Sequence, residues 1–198
     1  MHATGSIDRY PLVHGVHEIG IVHAAVTKTV VGRGYSLTLT LEISDYGFYD
    51  EDSPVTVYTN TSIAVTRNIA LAAGQAVNVT LTLDTTSCAY GNYTFNAIAW
   101  PVLDEANVLD NNFTGGWVRV AGVGDLTGGT PNALDFVPDG KVQIDDVIVV
   151  SRFFGQHVSP APVNCDVLGS TIGVPDGKVL IDDVALVAKH FGQRYSYR

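Results

Sequence analysis

The C-terminal third of the chain contains a duplicated segment, and this feature constrains the fold most strongly. VPDGKVQIDDVIVVSRFFGQ, residues 137–156, returns as VPDGKVLIDDVALVAKHFGQ, residues 174–193. Each copy places an Asp-Gly turn directly before a stretch with helical apolar periodicity. Because a hard cation needs several oxygen ligands from one tight loop, a duplicated acidic loop followed by a helix is typical of a pair of calcium sites.

The acidic residues of each copy fall at the spacing of a calcium-binding loop. One aspartate precedes the turn glycine, which permits the sharp bend, and another lies seven residues later, at the first turn of the predicted helix. The predicted ligands are the carboxylates of Asp139, Asp146, Asp176 and Asp183, the backbone carbonyls of Lys141 and Lys178, and the side chain of Gln143. Leu180, the counterpart of Gln143, has no ligand atom in its side chain.

The two predicted helices each carry an apolar stripe that we expect to face a core. The stripes are Ile144, Val147, Val150 and Phe154 in the first copy, and Ile181, Val184, Val187 and Phe191 in the second. Gly155 and Gly192 end them. Asp145 and Asp182 fall in the first turns, where we expect them to cap the helices and not to bind metal.

At these residues the chain resembles a type I dockerin, a small module of two half EF-hands, each a calcium loop plus one helix. The resemblance covers residues 124–198, with repeats at about 124–156 and 165–193. It implies two Ca²⁺ sites, a cohesin-like partner, and Asp125 (in GDL) and Asp166 (in CDV) as first ligands, each followed by an insertion. The third ligand is left open. The alternatives are Thr127, Asn132 or Asp135 in the first copy, and Ser170, Thr171, a carbonyl or water in the second.

Upstream of the repeats the apolar pattern has a period of two, which predicts half-buried strands. The seven candidate strands cover residues 19–27, 37–43, 55–60, 63–70, 77–83, 93–100 and 116–120. Turn residues separate them, and this count and spacing favour a seven-stranded immunoglobulin-like β-sandwich. We therefore expect a mainly β protein with a small α module.

The phrases TKTVVGRGYSLTLTLEISDYG, GNYTFNAIAWPV and DNNFTGGWVRV look like a CARDB-type domain, from an adhesion-related immunoglobulin-like family of exported archaeal and bacterial proteins. The predicted organisation is then an N-terminal extension (residues 1–17), the sandwich (residues 18–121) and the dockerin-like domain (residues 122–198). Within the sandwich, Asp104, Glu105 and Asp110 are either a further cation site or a solvated turn.

Composition excludes several classes of function. The formal net charge is −9 and only 11 residues are basic, so a nucleic-acid interface is not expected. No apolar run approaches the length of about 18 residues that a membrane span needs. The chain also lacks the G-x-S-x-G, H-E-x-x-H and phosphate-loop motifs, and we expect it not to be an enzyme.

Export to the cell surface is favoured by four acceptor triplets for N-glycosylation. They begin at Asn60, Asn78, Asn92 and Asn112. Strand phase places Asn78 outward and the other three at strand ends or in loops. Residues 1–17 show no secretory signal. In an exported chain the two cysteines, Cys88 and Cys165, either form a disulfide or remain free thiols.

Three functions are compatible with this organisation. The first is an extracellular, calcium-stabilised, N-glycosylated structural protein that joins copies of itself head to tail into a cell-surface filament. Residues 1–17 are either a strand donated to a neighbouring copy or a tail. The second is an adaptor that docks onto a cohesin-like partner, and the third is a carbohydrate-binding surface adhesin.

Overall fold

The computed structural model of the protein describes residues 16–60, 62–105, 107–128, 135–169 and 174–197, without the side chains of residues 62 and 63. The strands in this part of the chain are β1 (Ile19–Val26), β2 (Val30–Gly32), β3 (Ser36–Asp45), β4 (Glu51–Thr59), β5 (Ser62–Leu71), β6 (Ala76–Asp84), β7 (Gly91–Ala99) and β8 (Asn112–Ala121). The helices are α1 (Ile144–Ser151), α2 (Ile181–Lys189) and a short 3-10 helix (Val163–Cys165). Apart from residues 16 and 17, the predicted N-terminal extension lies outside the described residues.

The strands form two sheets. The smaller sheet has the order β1-β3-β6, and the larger sheet has the order β2-β8-β7-β4-β5. β1 pairs antiparallel with β3, and β4 pairs antiparallel with both β5 and β7. β2 lies parallel to β8, with Val30 beside Arg119. The prediction of a mainly β protein with a small α module is confirmed.

Alternation of buried and exposed side chains follows the predicted phase. On β3 the side chains of Leu37, Leu39, Leu41 and Ile43 are buried, while the residues between them are partly exposed. β6 shows the same alternation, and Asn78 lies on its exposed face. Each of these strands therefore buries one face, as the period of two requires.

The predicted count of seven strands is wrong, because the described residues contain eight. The strand that the pattern missed is β2, whose three residues are too few to show an alternation. β8 also begins at Asn112 and not at Gly116. It continues through Gly115 and Gly116, both with positive φ, which in sequence indicated a turn.

The chain divides into two compact units. The first unit comprises the described residues up to Val26, together with Thr38–Leu83 and Thr94–Trp117. The second unit comprises Thr27–Leu37, Asp84–Tyr93 and the described residues from Val118 onward. Its core is formed by Val30, Ala121, Leu126, Phe136, Val142, Val149, Val150, Ala161, Cys165, Val179 and Val187. Both loop-helix copies contribute to this core.

The prediction that the apolar stripes of the two helices face a core is correct for their middle residues and wrong for their end residues. Val150 and Val187 are fully buried, and the side chains of Val147 and Val184 pack against the same core. In contrast Ile144, Phe154, Ile181 and Phe191 are 56–67% exposed. The reason is length. α1 has eight residues and α2 has nine, so both phenylalanines lie beyond the helices, and both isoleucines occupy first helical positions beside the loops.

Candidate metal centre

We call residues 124–156 repeat 1 and residues 165–193 repeat 2. The first acidic side chain of repeat 1 is Asp125, which is completely buried. Its carboxylate accepts hydrogen bonds from the backbone N–H of Asp139 at 3.2 Å and of Gly140 at 2.8 Å. Asp125, the predicted first ligand, is therefore hydrogen-bonded to the predicted Asp-Gly turn at Asp139 and Gly140, although an insertion separates them in sequence. Gly140 has φ of 92°, which an L side chain rarely adopts.

The second buried acid of repeat 1 is Asp146, in the first turn of α1. One carboxylate oxygen accepts the backbone N–H groups of Leu126 at 2.7 Å and Thr127 at 3.0 Å. The other oxygen accepts the N–H of Gln143, the residue before the helix, at 2.8 Å. Asp146 thus joins the loop opening to the helix start and satisfies N–H groups that a helix terminus leaves unpaired.

We call the two buried aspartates of a repeat, together with the backbone N–H groups that they accept, its hydrogen-bond frame. Repeat 2 has the same frame as repeat 1, with equivalent residues at each position. Asp166 accepts from the N–H groups of Asp176 (3.3 Å) and Gly177 (2.7 Å), and Asp183 accepts from those of Val167 (2.7 Å), Leu168 (2.8 Å) and Leu180 (2.7 Å). Both acids are buried. The structure therefore brings the predicted first and twelfth loop positions into one frame in each repeat.

The residues that cap the helices differ from the prediction. Asp145 and Asp182 were expected to cap, but the carboxylates that accept the N–H of the residue preceding each helix are those of Asp146 and Asp183. Oδ1 of Asp145 is buried without a hydrogen-bond partner among the described residues. The carboxylate of Asp182 instead accepts the N–H of Asp183 at 3.2 Å, within the first turn, and so does not bond the residue before the helix.

The remaining predicted ligands lie at the edge of each frame. Asp139 and Asp176 are exposed, and each accepts the N–H of the lysine two residues later. The side chains of Gln143 and Lys141 approach Asp139 at 3.4 Å and 3.8 Å. In the part of the chain that the structure describes, no three His, Cys, Asp or Glu side chains converge closely enough to hold a metal ion. The predicted carbonyl ligands on Lys141 and Lys178 stay predictions.

Of the side chains that are alternatives for the third ligand, only those of Thr127 and Asp135 lie in the described residues. Asn132, Ser170 and Thr171 lie outside the described residues. Thr127 is buried and its hydroxyl donates to the carboxylate of Asp135 at 3.1 Å. In repeat 1 a hydroxyl and a further carboxylate therefore adjoin the frame.

The two buried acids of repeat 1, Asp125 and Asp146, have no cationic partner in the part of the chain that the structure describes. The pKa of Asp125 is raised to about 7, chiefly by burial and to a smaller extent by repulsion from Asp146, while the hydrogen bond from the Tyr197 hydroxyl lowers it. Burial likewise raises the pKa of Asp146 to about 6. Neither acid forms an ion pair within the described residues. Two buried carboxylates that lack a countercharge and are framed by neutral N–H donors suit a hard cation with oxygen ligands.

In repeat 2 a lysine that sequence reasoning missed supplies positive charge. Lys28 is 5% exposed, and its ammonium donates to the backbone carbonyl of Asp166. Burial lowers the pKa of Lys28 to about 8, while the carboxylates of Asp166 and Asp183 raise it. Burial also raises the pKa of both acids, and Lys28 partly offsets this for Asp166. Because Lys28 is more than 100 residues from these acids in sequence, no local motif indicates the contact.

A tyrosine near the C-terminus, also missed, closes repeat 1. The hydroxyl of Tyr197 donates to the carboxylate of Asp125 and accepts the N–H of Gly122 at 3.1 Å. The guanidinium of Arg119 lies 4.8 Å from the centre of the Tyr197 ring. The backbone N–H of Tyr195 also donates to the carbonyl of Gly140 at 2.7 Å. The C-terminal segment at Tyr195 and Tyr197, which we call the C-terminal tail, therefore covers the carboxylate of Asp125 and shields it from solvent.

The other predicted sites are separate from these frames. Cys88 and Cys165 are both free, so the alternative of a disulfide is not realised. Cys165 lies in the core of the second unit, where its thiol contacts the carbonyl of Val149 at 3.6 Å, whereas Cys88 is partly exposed.

The four predicted glycosylation acceptors, Asn60, Asn78, Asn92 and Asn112, are exposed. None of the helices in the described ranges is long and apolar enough to cross a membrane.

Comparison with known proteins gives partial likenesses of fold. No family model matches the chain, and no curated protein matches it. The chain is similar to the CARDB domain of the PF1109 protein from Pyrococcus furiosus, solved in complex with di-metal ions, with a TM-score of 0.47 and 19% identity, covering 59% of this chain and 100% of that one. It is also similar to a domain of a candidate cell surface protein from Methanosarcina acetivorans, with a TM-score of 0.42 and 20% identity, covering 53% and 92%.

A third similar structure is a β-glucosidase from Listeria innocua, with a TM-score of 0.38 and 16% identity. The match covers 54% of this chain but 16% of that enzyme, so it concerns one part of a much larger protein. The CARDB resemblance found in sequence agrees with the name of the Pyrococcus structure. None of these three structures is a dockerin, and that part of the resemblance stays a prediction.

Proposed function

We propose that this protein is an extracellular, calcium-stabilised, N-glycosylated structural protein that assembles head to tail into a cell-surface filament. The observation that carries the proposal is a set of apolar side chains exposed at equivalent positions of the two repeats. Ile144 and Ile181 are 58% and 67% exposed, and Phe154 and Phe191 are 56% and 58% exposed. Large apolar side chains exposed at the same place in both copies supply groups that a partner protein can bury.

The first unit carries its own exposed apolar side chains. Leu103 and Leu109 are 78% and 82% exposed, and Trp100 and Val108 are about half exposed. A head-to-tail contact needs two different surfaces on one chain, and a filament forms when the rotation between copies does not close a ring. One copy can therefore bind through its repeats to the first unit of the next.

Calcium would stabilise the surface that the repeats present. The carboxylates of Asp125 and Asp146 in repeat 1, and of Asp166 and Asp183 in repeat 2, would hold the ions. Because each pair of acids joins the loop opening to the turn and to the helix start, a bound cation holds these segments together and removes their mutual repulsion. An ion that binds only the folded state stabilises it by mass action.

Glycans at Asn60, Asn78, Asn92 and Asn112 would be accommodated without loss of packing, because all four residues are exposed. Three of the acceptors lie in strands, the fourth, Asn60, directly follows β4, and none lies on α1 or α2. No predicted acceptor therefore lies in the repeats that carry the exposed apolar side chains.

A second candidate function is an adaptor that docks onto a separate cohesin-like protein. The observation that favours it is the exposure of Ile144 and Ile181 at the helix starts. Many dockerins place small hydroxyl residues there for partner contact, so these isoleucines depart from the pattern of the family that the chain resembles. The two functions use the same surface. They differ in whether the partner is another copy of this chain.

Negative-stain microscopy and analytical ultracentrifugation of the purified chain, with CaCl₂ or with EGTA, test the proposal. We expect fibres with Ca²⁺ and shorter species with EGTA. The double variant Ile144→Ser/Ile181→Ser should stay monomeric. Its matched control is Val137→Ser/Val174→Ser, which changes exposed apolar residues at equivalent places in the loops.

A wild-type chain that stays monomeric with Ca²⁺ at high concentration would contradict the filament. Specific binding of that monomer to a purified cohesin domain, lost in Ile144→Ser/Ile181→Ser, would instead support the adaptor function. Fibres from the double variant equal to those of wild type would show that the repeats do not form the contact.

A further inference from the structure

The first unit contains three buried side-chain oxygens that have no hydrogen-bond partner among the described residues. They are Oε1 of Glu18, Oδ1 of Asp110 and Oδ1 of Asn111. Asn111 is completely buried. A buried acceptor without a partner is destabilising because it has lost its hydrogen bonds to water, so three such oxygens on neighbouring side chains need an explanation.

A neighbouring carboxylate holds the side chain of Asn111 in place. Glu105 accepts the side-chain N–H of Asn111 at 2.9 Å and the backbone N–H groups of Ile19 and Val102, also at 2.9 Å. Both oxygens of Glu105 are thereby used. Because the amide nitrogen of Asn111 is fixed on Glu105, its amide oxygen is the atom of that side chain left for a ligand. Glu105 is a positioning residue here.

The backbone anchors the other two groups. The N–H of Ile21 donates to the carbonyl of Asp110 at 2.8 Å, and the N–H of Asn107 donates to Oε2 of Glu18 at 3.2 Å. Gly20 lies directly against the Asp110 carboxylate, since a Cβ built on Gly20 would be 3.0 Å from Oδ2 of Asp110. The Asn107 N–H therefore holds the carboxylate of Glu18, and the Ile21 N–H holds the backbone of Asp110, while Oε1 of Glu18 and Oδ1 of Asp110 stay without a partner among the described residues.

The cluster also carries negative charge without a countercharge. No ion pair in the described part of the chain involves Glu18, Glu105 or Asp110. Burial raises the pKa of all three carboxyl groups, and repulsion from Asp110 and Glu105 contributes for Glu18. A water molecule could satisfy the unpaired oxygens, but it would leave the charge unbalanced. A cation satisfies both.

We propose that Glu18, Asp110 and Asn111 form a binding site for a hard divalent cation, Ca²⁺ in the first place, in the first unit. Two carboxylate oxygens and one amide oxygen are ligands that Ca²⁺ accepts, with water completing its coordination. Three carboxylates do not converge here, which agrees with the result for acidic, His and Cys side chains given above. The amide of Asn111 supplies the third oxygen. This site is independent of the two repeats, because it shares no residue with them.

Isothermal titration calorimetry with CaCl₂ tests the site on the full chain. Glu18→Gln/Asp110→Asn keeps the shape and removes both charges, and Asp104→Asn is the matched control because Asp104 is an exposed acid of the same loop. We expect the double variant to bind one Ca²⁺ fewer than wild type, and Asp104→Asn to bind the same number. This difference holds whether or not the repeats bind Ca²⁺.

Circular dichroism in EGTA checks that each variant is folded. We expect Glu18→Gln/Asp110→Asn to melt at or above the wild-type temperature in EGTA, because like charges are removed. Gly20→Ala provides a second route, since its methyl group displaces the Asp110 carboxylate without removing a ligand. It should weaken this site at least tenfold. Equal stoichiometry and affinity in wild type and the double variant would overturn the proposal and assign the oxygens to ordered water.

Discussion

Repeat 1 and repeat 2 share one hydrogen-bond frame and differ in what balances its charge. In both, a first aspartate accepts the N–H groups of the Asp-Gly turn and a second aspartate joins the loop opening to the helix. In repeat 1 the first carboxylate contacts a neutral phenol, Tyr197. In repeat 2 the ammonium of Lys28 lies against the corresponding residue. The frame belongs to the duplicated unit, whereas the charge balance comes from residues outside it.

This difference teaches that two nearly identical loops need not bind a cation equally well. A divalent ion beside Asp125 and Asp146 in repeat 1 meets carboxylates and a neutral phenol, while Lys141 lies 3.8 Å from the exposed Asp139. An ion in repeat 2 must also overcome repulsion from Lys28, which already neutralises part of the charge. We therefore expect repeat 1 to bind Ca²⁺ more tightly and to account for most of the stabilisation by Ca²⁺.

Removal of the helix-capping acids should have the largest effect. Asp146→Ala and Asp183→Ala each remove the acceptor of three backbone N–H groups, which are buried or partly buried in repeat 1 and partly buried in repeat 2. Each should cost at least about 3 kcal/mol in EGTA. Asp146→Ala should also abolish most of the rise in melting temperature with Ca²⁺, while Asp183→Ala should remove a smaller part. Differential scanning calorimetry with CaCl₂ and EGTA measures both, with Asp182→Ala as control. If neither variant alters the response to Ca²⁺, the assignment of the ligands is wrong.

The turn glycines provide the second comparison. A Cβ on Gly140 would lie 2.6 Å from the carbonyl oxygen of Tyr195, whereas one on Gly177 would meet no atom of the described residues within 4 Å. Both have positive φ, for which alanine costs about 1–2 kcal/mol. Gly177→Ala should therefore cost about that amount, and Gly140→Ala about 3 kcal/mol or more because the C-terminal segment must move. Urea denaturation measures both costs, and equal values would show that the tail does not pack as described.

Replacement of Lys28 should reduce the difference between the repeats. Lys28→Met keeps the apolar stem and removes the charge, so it should lower stability in EGTA by about 1–3 kcal/mol. It should also raise the Ca²⁺ affinity of repeat 2 by about tenfold, which corresponds to about 1.4 kcal/mol. Calorimetric titration of Lys28→Met against wild type checks this, with Lys189→Met on the exposed end of α2 as control. If the Ca²⁺ affinity of repeat 2 is the same in Lys28→Met and in wild type, Lys28 does not repel the cation at this site.

The stability of the ion-free protein should depend on pH in a specific direction. The pKa of Asp125 is raised to about 7 and that of Asp146 to about 6, so the folded state holds protons that the unfolded state has lost between about pH 4 and pH 7. In EGTA the melting temperature should therefore rise as pH falls from 8 to 5. With saturating Ca²⁺, which binds the ionised carboxylates, this rise should disappear or reverse. Thermal unfolding across this range measures the effect, and a flat profile in EGTA would contradict the burial of uncompensated acids.

Loss of the Tyr197 hydroxyl should have the smallest effect. Tyr197→Phe removes the donor to Asp125 and the acceptor of the Gly122 N–H, and it should cost about 1–2 kcal/mol. It should also steepen the pH dependence in EGTA, because this hydroxyl holds the pKa of Asp125 down. Tyr195→Phe is the matched control on the same tail, since that hydroxyl bonds Val123 and Gln193 and not Asp125. Equal pH profiles for the two variants would exclude a specific role of Tyr197.

Much of the fold was predictable because its signals are local. Alternation of apolar residues along β3 and β6 indicated which side chains are buried, and the duplicated Asp-Gly turn indicated two loops that precede helices. Two failures were also local. β2 is too short to show a period, and the apolar stripes were extended to Phe154 and Phe191, beyond the ends of the helices.

By itself the sequence determined the acids of each frame, since Asp125, Asp146, Asp166 and Asp183 all come from the duplicated pattern and its family resemblance. Only the tertiary structure decided what those acids face. Lys28 lies 138 residues from Asp166 and Tyr197 lies 72 residues from Asp125. The grouping of Glu18 with Asp110 and Asn111 likewise depends on folding, because it joins the start of β1 to the start of β8. Short-range spacing specifies hydrogen bonds within a loop, whereas charge balance in a buried site depends on whichever distant segments the core brings beside it.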